Sequence, residues 1–327
     1  MRGLFWVTAV LAALYGGYWY VGSRAVLKGV TGTLGALRAE GQADYADIRL
    51  AGFPSRFDVT IGAPRLDSAD RSVSWQAPFI QLLALSYRPN NLIAVWPGEQ
   101  TLRLGADTLT LASDDLRASV LLKADFDLAL DHAELEGHGL RLTSAFGAEL
   151  LAEKLIIASR QAGVDGTRHD LAVVFTGLAP GDAFRGQIDP ARRQPAVADE
   201  ARLTATATFD RPLDRKLAEQ PAQLLSLGAI DLRLKWGSIS VAATGDLEVD
   251  SAGYPTGQVA LLLTNWRDLL DLLRDAGALP ADQSDAITRA LAAAAKPGDP
   301  SSVALPLAFR DGIVWLGFIP LAPAPRL

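Results

Sequence analysis

The chain has no cysteine, and its one methionine is the first residue. Disulfides, thiol nucleophiles and cysteine-based metal sites are therefore excluded. Histidine is scarce as well, with three residues in 327. We find no Gly-x-Ser-x-Gly elbow, no phosphate-binding loop before a helix and no dinucleotide fingerprint. Without any of these signatures, the sequence predicts a protein that is not an enzyme.

The chain also has fewer basic than acidic residues, and its formal net charge is −6. The first forty residues carry four basic side chains and one acidic side chain, so the acidity belongs to the rest of the chain. A nucleic-acid-binding domain needs a basic patch, and we therefore expect no nucleic-acid partner. Apolar residues make up 49% of the chain, which is enough to build a large core.

What the sequence does have is a long uncharged run at its start. Residues 3–23 read GLFWVTAVLAALYGGYWYVGS, and a helix of this length matches the roughly 30 Å hydrocarbon core of a bilayer. Aromatic rings, which favour the lipid–water boundary, cluster near its end at Tyr15, Tyr18, Trp19 and Tyr20. We predict a transmembrane anchor or uncleaved signal over residues 1–23. A cleaved signal peptide is the alternative, although bulky aromatic residues suit a cleavage site poorly.

The rest of the chain divides by its pattern. Residues 24–40 place apolar side chains at helical spacing and predict a linker helix. From 41 to 180, short runs with a period of two alternate with Gly, Asp, Asn and Pro about every ten residues, which predicts an N-terminal β half. Residues 181–200 are polar and contain proline, so we predict a linker there.

Residues 201–327 predict a C-terminal β half with helices near 213–227, 265–276 and 280–296. The turns at 250–253 and at Asp311-Gly312 are typical of β-hairpins. The predicted fold class is therefore mainly β. It has an N-terminal transmembrane helix followed by an antiparallel β-meander, as a curved sheet, a sandwich or a taco-like sheet, with a few short helices.

Gly52-Phe53-Pro54 interrupts one of these strands. Glycine takes positive φ without steric cost and proline cannot donate to a ladder, so together they predict a corner that reverses the chain. We expect Phe53 to be wedged against the core. The alternative is an aromatic side chain that lines a ligand groove.

In residues 79–85 the alternation fails, because Phe79 and Leu83 lie on one side and Ile80 and Leu82 on the other. A strand that is apolar on both faces must be covered on both. A second layer would do this, or a curved sheet could hold acyl chains on its concave face. The amphipathic helix at 265–276 has similar alternatives, since it could cap the sheet core or act as a lid or docking helix.

His132 and His138 flank an acidic stretch, and two histidines with a carboxylate could hold a metal. They share a strand face that the pattern makes solvated, so we predict no metal and no cofactor. His169 lies in the polar stretch DGTRHD and is expected at the surface.

Several stretches carry a resemblance to a known family. They include Gly52-Phe53-Pro54, Trp75 with Pro78, residues 87–90 (YRPN) and residues 97–100 (PGEQ). With the closing LPLAFRDGIVWLGFIPLAP, this set resembles DUF2125, a family of uncharacterised Gram-negative envelope proteins. More distantly, the architecture is similar to AsmA-type proteins, which are anchored in the inner membrane and implicated in lipid traffic or envelope homeostasis. The resemblance implies a single-pass inner-membrane protein with its body in the periplasm.

We therefore hypothesise a protein that binds or passes lipid or another amphipathic molecule in a β-lined apolar groove. The groove residues predicted from the sequence are Phe53, Phe57, Trp75, Phe79, Leu83 and Trp315. The competing hypothesis is a structural or assembly protein with a filled core, which binds an envelope protein through the helices at 265–296 or through a free strand edge.

Overall fold

The computed structural model describes residues 2–218, 220–277, 279, 281–296, 298–317 and 319–327. Its first element is the helix α1 (Arg2–Ala39), which is about 57 Å long at 1.5 Å per residue. The predicted anchor and linker helix are therefore one continuous helix. By length and composition, Leu4–Ala39 is long and apolar enough to cross a membrane.

Most of the remaining chain forms one open antiparallel sheet. Its first part comprises β1 (Ala43–Asp44), β2 (Asp47–Ala51), β3 (Arg56–Gly62), β4 (Arg65–Asp67), β5 (Val73–Gln76), β6 (Phe79–Leu85), β7 (Arg88–Trp96), β8 (Glu99–Leu104), β9 (Asp107–Ala112), β10 (Asp115–Leu122), β11 (Leu130–Ser144), β12 (Glu149–Gln161), β13 (Arg168–Thr176) and β14 (Ala179–Pro180). After the helix α2 (Asp182–Ile188) the sheet continues with β15 (Glu200–Phe209), β16 (Leu224–Trp236), β17 (Ile239–Val249) and β18 (Pro255–Thr264). The helices α3 (Trp266–Asp275) and α4 (Ala281–Ala293) precede β19 (Ala295–Lys296), β20 (Asp299–Arg310), β21 (Ile313–Leu316) and β22 (Ile319–Pro323).

Many of the short strands are halves of longer, bent strands. Two residues separate β3 from β4, β5 from β6, β7 from β8 and β9 from β10. Backbone bonds continue through the bend, because Ala63 N–H donates to Pro78 O at 2.8 Å and Ala77 N–H donates to Pro64 O at 3.2 Å. With these halves joined, each long strand pairs with the strand before it and the strand after it. The sheet is thus a simple meander bent across its first strands.

The register gives the sheet an apolar face, which we call the inner face. One row of directly paired residues crosses it from β3 to β20: Val59, Leu82, Ala94, Ala118, Leu135, Ile157, Val173, Leu203, Leu232, Ala243, Leu261 and Leu305. Every residue in this row is apolar. At about 4.8 Å per strand the row is about 50 Å wide.

The opposite, outer face is polar across its middle strands. Lys154 Nζ lies 2.6 Å from Glu136 Oε1, and Arg117 Nη2 lies 3.1 Å from Glu136 Oε2. Hydrogen bonds from Lys154, His138 and Arg117 lower the pKa of Glu136 to about 2. This carboxylate therefore stays charged throughout the physiological range, as a solvated face requires.

Helices cover both ends of the inner face. At the first strands, α1 lies against β1, β2 and β3, and the ring of Trp19 is 6.1 Å from that of the buried Phe57. At the last strands, Trp266, Leu270 and Leu291 of α3 and α4 pack against Leu263 and Val303 of the sheet. The predicted helix at 265–276 therefore covers the sheet core.

Two of the remaining helix predictions need correction. The helix predicted at 213–227 is wrong, because the chain makes a short 3-10 turn at Arg215–Ala218 and enters β16 at Leu224. Pairing with β15 overrides the helix preference of the leucines there. The helix predicted at 280–296 ends at Ala293, and Ala295–Lys296 pairs with β20 instead. Pro280 and Glu219 lie outside the described residues.

The strand connections form two rims. We call the near rim the first four tips on one side of the sheet, at 52–55, 86–87, 123–129 and 162–167; the β15–β16, β17–β18 and β20–β21 connections follow on the same side. The far rim includes the tips 68–72, 105–106 and 145–148 on the other side. The predicted linker at 181–200 contains α2 and also lies on the far side, since Gln194 Nε2 donates to Ser238 Oγ in the β16–β17 turn at 3.1 Å.

Candidate functional site

The middle of the inner face is open. Ile157 of β12 is 43% exposed and Leu203 of β15 is 37% exposed, although both belong to the apolar row. The helices that cover the two ends of the sheet make their main described contacts with β1–β3 and with β17–β20, and these middle strands lie between the two contact regions. Isolated exposed aliphatic residues are ordinary, but Ile157 and Leu203 lie on either side of Val173 in one row of paired residues, so they form a continuous apolar surface.

A crevice of about 390 Å³ lies where the sheet bends. Side chains from both sides of the bend line it: Leu66, Trp75, Ile80, Trp96, Gln100, Leu102, Leu111, Leu116, Leu135 and Leu142. Leu135 belongs to the apolar row, so the crevice continues the inner face. The lining is suited to an apolar chain, because all but one of these side chains are apolar or aromatic.

Gln100 is the one amide in this crevice. Trp75 Nε1–H donates to Gln100 Oε1 at 2.9 Å, and this bond fixes the orientation of the amide, since an indole can only donate. Gln100 is buried, and its Nε2 has no hydrogen-bond partner within the part of the chain that is described. A buried unpaired donor is costly, so a ligand carbonyl or hydroxyl at this position would be stabilised.

The structure does not bring the six predicted groove residues together. Trp75 lines the crevice, and Phe57 lies on the inner face beneath α1. Phe79, Leu83 and Trp315 lie on the outer face, because Leu83 pairs with Asp58, Phe79 pairs with Gly62, and Trp315 pairs with Ala308. Period-two parity separates two faces but cannot say which is inner when both look apolar. Trp96, Gln100 and the row through Leu203 were missed for this reason.

The Gly-Phe-Pro corner reverses the chain as predicted. Gly52 has a φ of 104° and the Phe53–Pro54 peptide bond is cis, and β2 returns antiparallel to β3. The expectation that Phe53 is wedged against the core is wrong, because its side chain is 64% exposed and meets Trp19 of α1 edge-on at 5.2 Å. The corner therefore contacts α1.

The histidines divide between the two faces. His138 Nε2 lies 3.1 Å from Glu136 Oε1 on the outer face, and the described residues contain no group of three ligand-type side chains that could hold a metal. His169 was expected at the surface, but it is fully buried and lies edge-on to Phe209 at 6.2 Å. In β13 it shares the parity of Leu171 and Val173, so it is a polar residue on the inner side.

We expect the free energy of unfolding to fall as the pH drops below about 6.5. Burial lowers the pKa of His169 from its ordinary value of 6.5, so the unfolded chain takes up a proton that the folded protein refuses. The contribution of neutral His169 to the free energy of unfolding is fully present above the pKa of this histidine in the unfolded chain. It is lost as the pH falls toward the lower pKa of His169 in the folded protein. Urea unfolding between about pH 8 and 5 should therefore show a smaller loss of unfolding free energy for His169→Leu than for the wild-type protein.

The chain was compared with family models, curated proteins and solved structures. No curated protein and no solved structure matches it. The model of a family described as "Uncharacterized protein conserved in bacteria (DUF2125)" matches residues 19–325. This range includes the last turns of the apolar run, the bent sheet, the open inner face and the closing strands. Because the match covers nearly the whole chain, the protein belongs to the DUF2125 family.

Proposed function

We propose that this protein is a non-enzymatic, single-pass inner-membrane protein whose body lies in the periplasm and binds lipid acyl chains on its inner face. The sheet would hold these chains or pass them along its width. The observation that carries the proposal is the unbroken apolar row from β3 to β20, whose central members remain exposed. A filled core would have covered them.

Acyl chains suit this surface for an energetic reason. Each methylene removed from water contributes about 0.8 kcal/mol, so a chain lying across several exposed leucines would gain several kcal/mol. The apolar row itself carries no charged side chain to hold a polar substrate, and the ion pairs of Arg117, Lys154 and Arg202 lie on the outer face. Gln100 in the crevice could donate to an ester carbonyl at the polar end of such a ligand.

The competing hypothesis of a partner-binding scaffold has less support from the helix pair. Trp266, Leu270 and Leu291 already pack against the sheet, and Asp268 and Asp271 face polar partners, Ser238 at 3.2 Å and Arg274 at 2.8 Å. The outward side of α3 is therefore mostly polar, with Leu273 as its exposed leucine, whereas a docking helix needs several apolar anchors. This supports the lipid proposal over a protein partner at these helices.

The test uses a photo-crosslinking amino acid placed at Leu203 in cells whose phospholipids are radiolabelled. Leu203 and Thr204 are neighbours in β15 whose side chains point to opposite faces, so Thr204 provides a matched control at the same depth. We expect labelled phospholipid on the protein crosslinked at Leu203 and at Ile157. Crosslinking at Thr204 should remain at background.

Two results would contradict the proposal. One is the absence of lipid from both inner-face positions in protein that is folded and membrane-bound. The other is equal lipid labelling at Leu203 and Thr204, since that would report contact with bulk membrane without preference for the inner face. A crosslink from Leu203 to another protein would favour the scaffold hypothesis.

A further inference from the structure

The near rim is fixed to α1 by three hydrogen bonds. Tyr15 Oη lies 3.1 Å from Ser86 Oγ, and Tyr18 O–H donates to the carbonyl of Ser86 at 2.6 Å. Trp19 Nε1–H donates to the carbonyl of Arg56 at 2.8 Å. These bonds hold the β2–β3 and β6–β7 tips against residues 15–19 of the helix.

The position of these contacts along α1 sets the depth of the near rim. Residues 15–19 lie inside the uncharged run at 3–23. Within this run, residues 3–14 lie between Arg2 and the first contact and form only about 18 Å of uncharged helix, which is shorter than the roughly 30 Å hydrocarbon core. If α1 spans a bilayer, the tips that contact residues 15–19 must therefore reach the same bilayer.

The side chains at these tips are apolar and exposed. Phe126 is 92% exposed and Val164 is 98% exposed, in the tips 123–129 and 162–167. Phe53 and Tyr87 are also well exposed, in the tips 52–55 and 86–87. Consecutive tips are two strands apart, or about 10 Å. Four neighbouring tips on one side of the sheet thus carry an exposed large apolar or aromatic residue.

The charges at the near rim do not favour binding to an anionic membrane. Asp125 and Asp165 lie in the same tips as Phe126 and Val164, and each accepts hydrogen bonds from backbone N–H groups of its own loop. Lys123 and Arg168 flank these tips. With both signs present, attraction to anionic lipid is weak, and the apolar side chains are the feature that selects an environment.

We propose that the near rim is a membrane-interface surface, whose tips insert Phe53, Tyr87, Phe126 and Val164 into the headgroup–acyl boundary of the bilayer that α1 crosses. The occupant is the lipid bilayer itself, because the docked helix brings the rim to it. Aromatic rings are favoured at this boundary. The sheet then stands with its near rim in the membrane and its far rim away from it. This inference does not require that the inner face binds lipid.

The test is a depth measurement on the full chain in phosphatidylcholine nanodiscs, which leave both membrane surfaces open to solution. The chain contains no cysteine, so single variants Tyr87→Cys and Phe126→Cys can be labelled with a polarity-sensitive fluorophore. Phe146→Cys is the matched control, since Phe146 is 75% exposed at the far rim. Nitroxide-labelled lipid and aqueous iodide serve as the two quenchers.

We expect the labels at Tyr87 and Phe126 to be quenched strongly by the nitroxide lipid and weakly by iodide, with the reverse at Phe146. This pattern should persist at high salt. Iodide quenching at Phe126 as strong as at Phe146 would overturn the inference. So would a Phe126 label that neither quencher reaches, since that reports burial against protein. The quenching experiment and the crosslinking experiment are independent. A contrary quenching result would not change the crosslinking expected at Leu203, and a contrary crosslinking result would not change the quenching expected at the near rim.

Discussion

The Leu203→Asp variant is expected to lose lipid crosslinking at Ile157 while it remains folded. Ile157, Val173 and Leu203 are consecutive members of the apolar row, so a carboxylate at residue 203 would lie close to an acyl chain bound there. Burying that charge without a partner costs several kcal/mol, and each 1.4 kcal/mol is a tenfold change in affinity. Lipid labelling should fall at least about tenfold in the autoradiograph.

Folding should survive this substitution because Leu203 is half-exposed. In the absence of lipid the carboxylate can reach water, and we expect a loss of roughly 1–2 kcal/mol in the free energy of unfolding. Thr204→Asp is the control on the outer face and should leave labelling at Ile157 unchanged. Wild-type labelling in folded Leu203→Asp protein would contradict the lipid-binding role of the inner face.

The largest stability effect is expected from Trp266→Ala. Trp266 is 1% exposed and belongs to the cluster in which α3 and α4 meet β18 and β20. Its Nε1–H donates to the carbonyl of Pro300 at 3.1 Å, and the guanidinium of Arg267 lies 4.2 Å from its ring centroid. Truncation removes all of these contacts and leaves a cavity, so the free energy of unfolding should fall by about 3–5 kcal/mol.

Leu273→Ala on the same helix provides the comparison. Leu273 is exposed at the far end of α3, and its truncation should cost less than about 1 kcal/mol. Both variants are measured by urea unfolding monitored by far-UV circular dichroism. Equal losses for the two variants would show that α3 does not hold the C-terminal end of the sheet through Trp266.

Local chemistry made much of the fold predictable. The apolar run at 3–23, the period-two strands and the hairpin at Asp311-Gly312 each depend on neighbouring residues. The corner at Gly52 was predictable for the same reason, since positive φ and a missing N–H act on the chain where they occur. These features give a long apolar helix and an antiparallel meander, which the structure contains.

The features that were missed depend on contacts between distant residues. His169 follows a polar turn, but its burial against Phe209 is decided by the β13–β15 pairing. The helix predicted at 213–227 failed because β15 offers a strand partner to Leu224 and its neighbours. Neither partner can be recognised from local spacing.

The crevice was only partly predictable. Trp75 was named as a groove residue, whereas Trp96 and Gln100 were not. A signal for the bend exists in the sequence, because Pro64, Pro78 and Pro97-Gly98 break successive strands. Reading those breaks as one aligned bend requires the strand register, which fixes where the breaks meet across the sheet.

The meander order of the sheet allows the number of strands to differ among members of the family. Each long strand pairs only with its neighbours in the chain, so a hairpin can be added or removed without rethreading any connection. Such a change would widen or narrow the inner face by about 10 Å and keep its apolar side aligned. Duplication or loss of a single hairpin could therefore change the width of the surface, while α1 at one end and the helical cover at the other end stay in place.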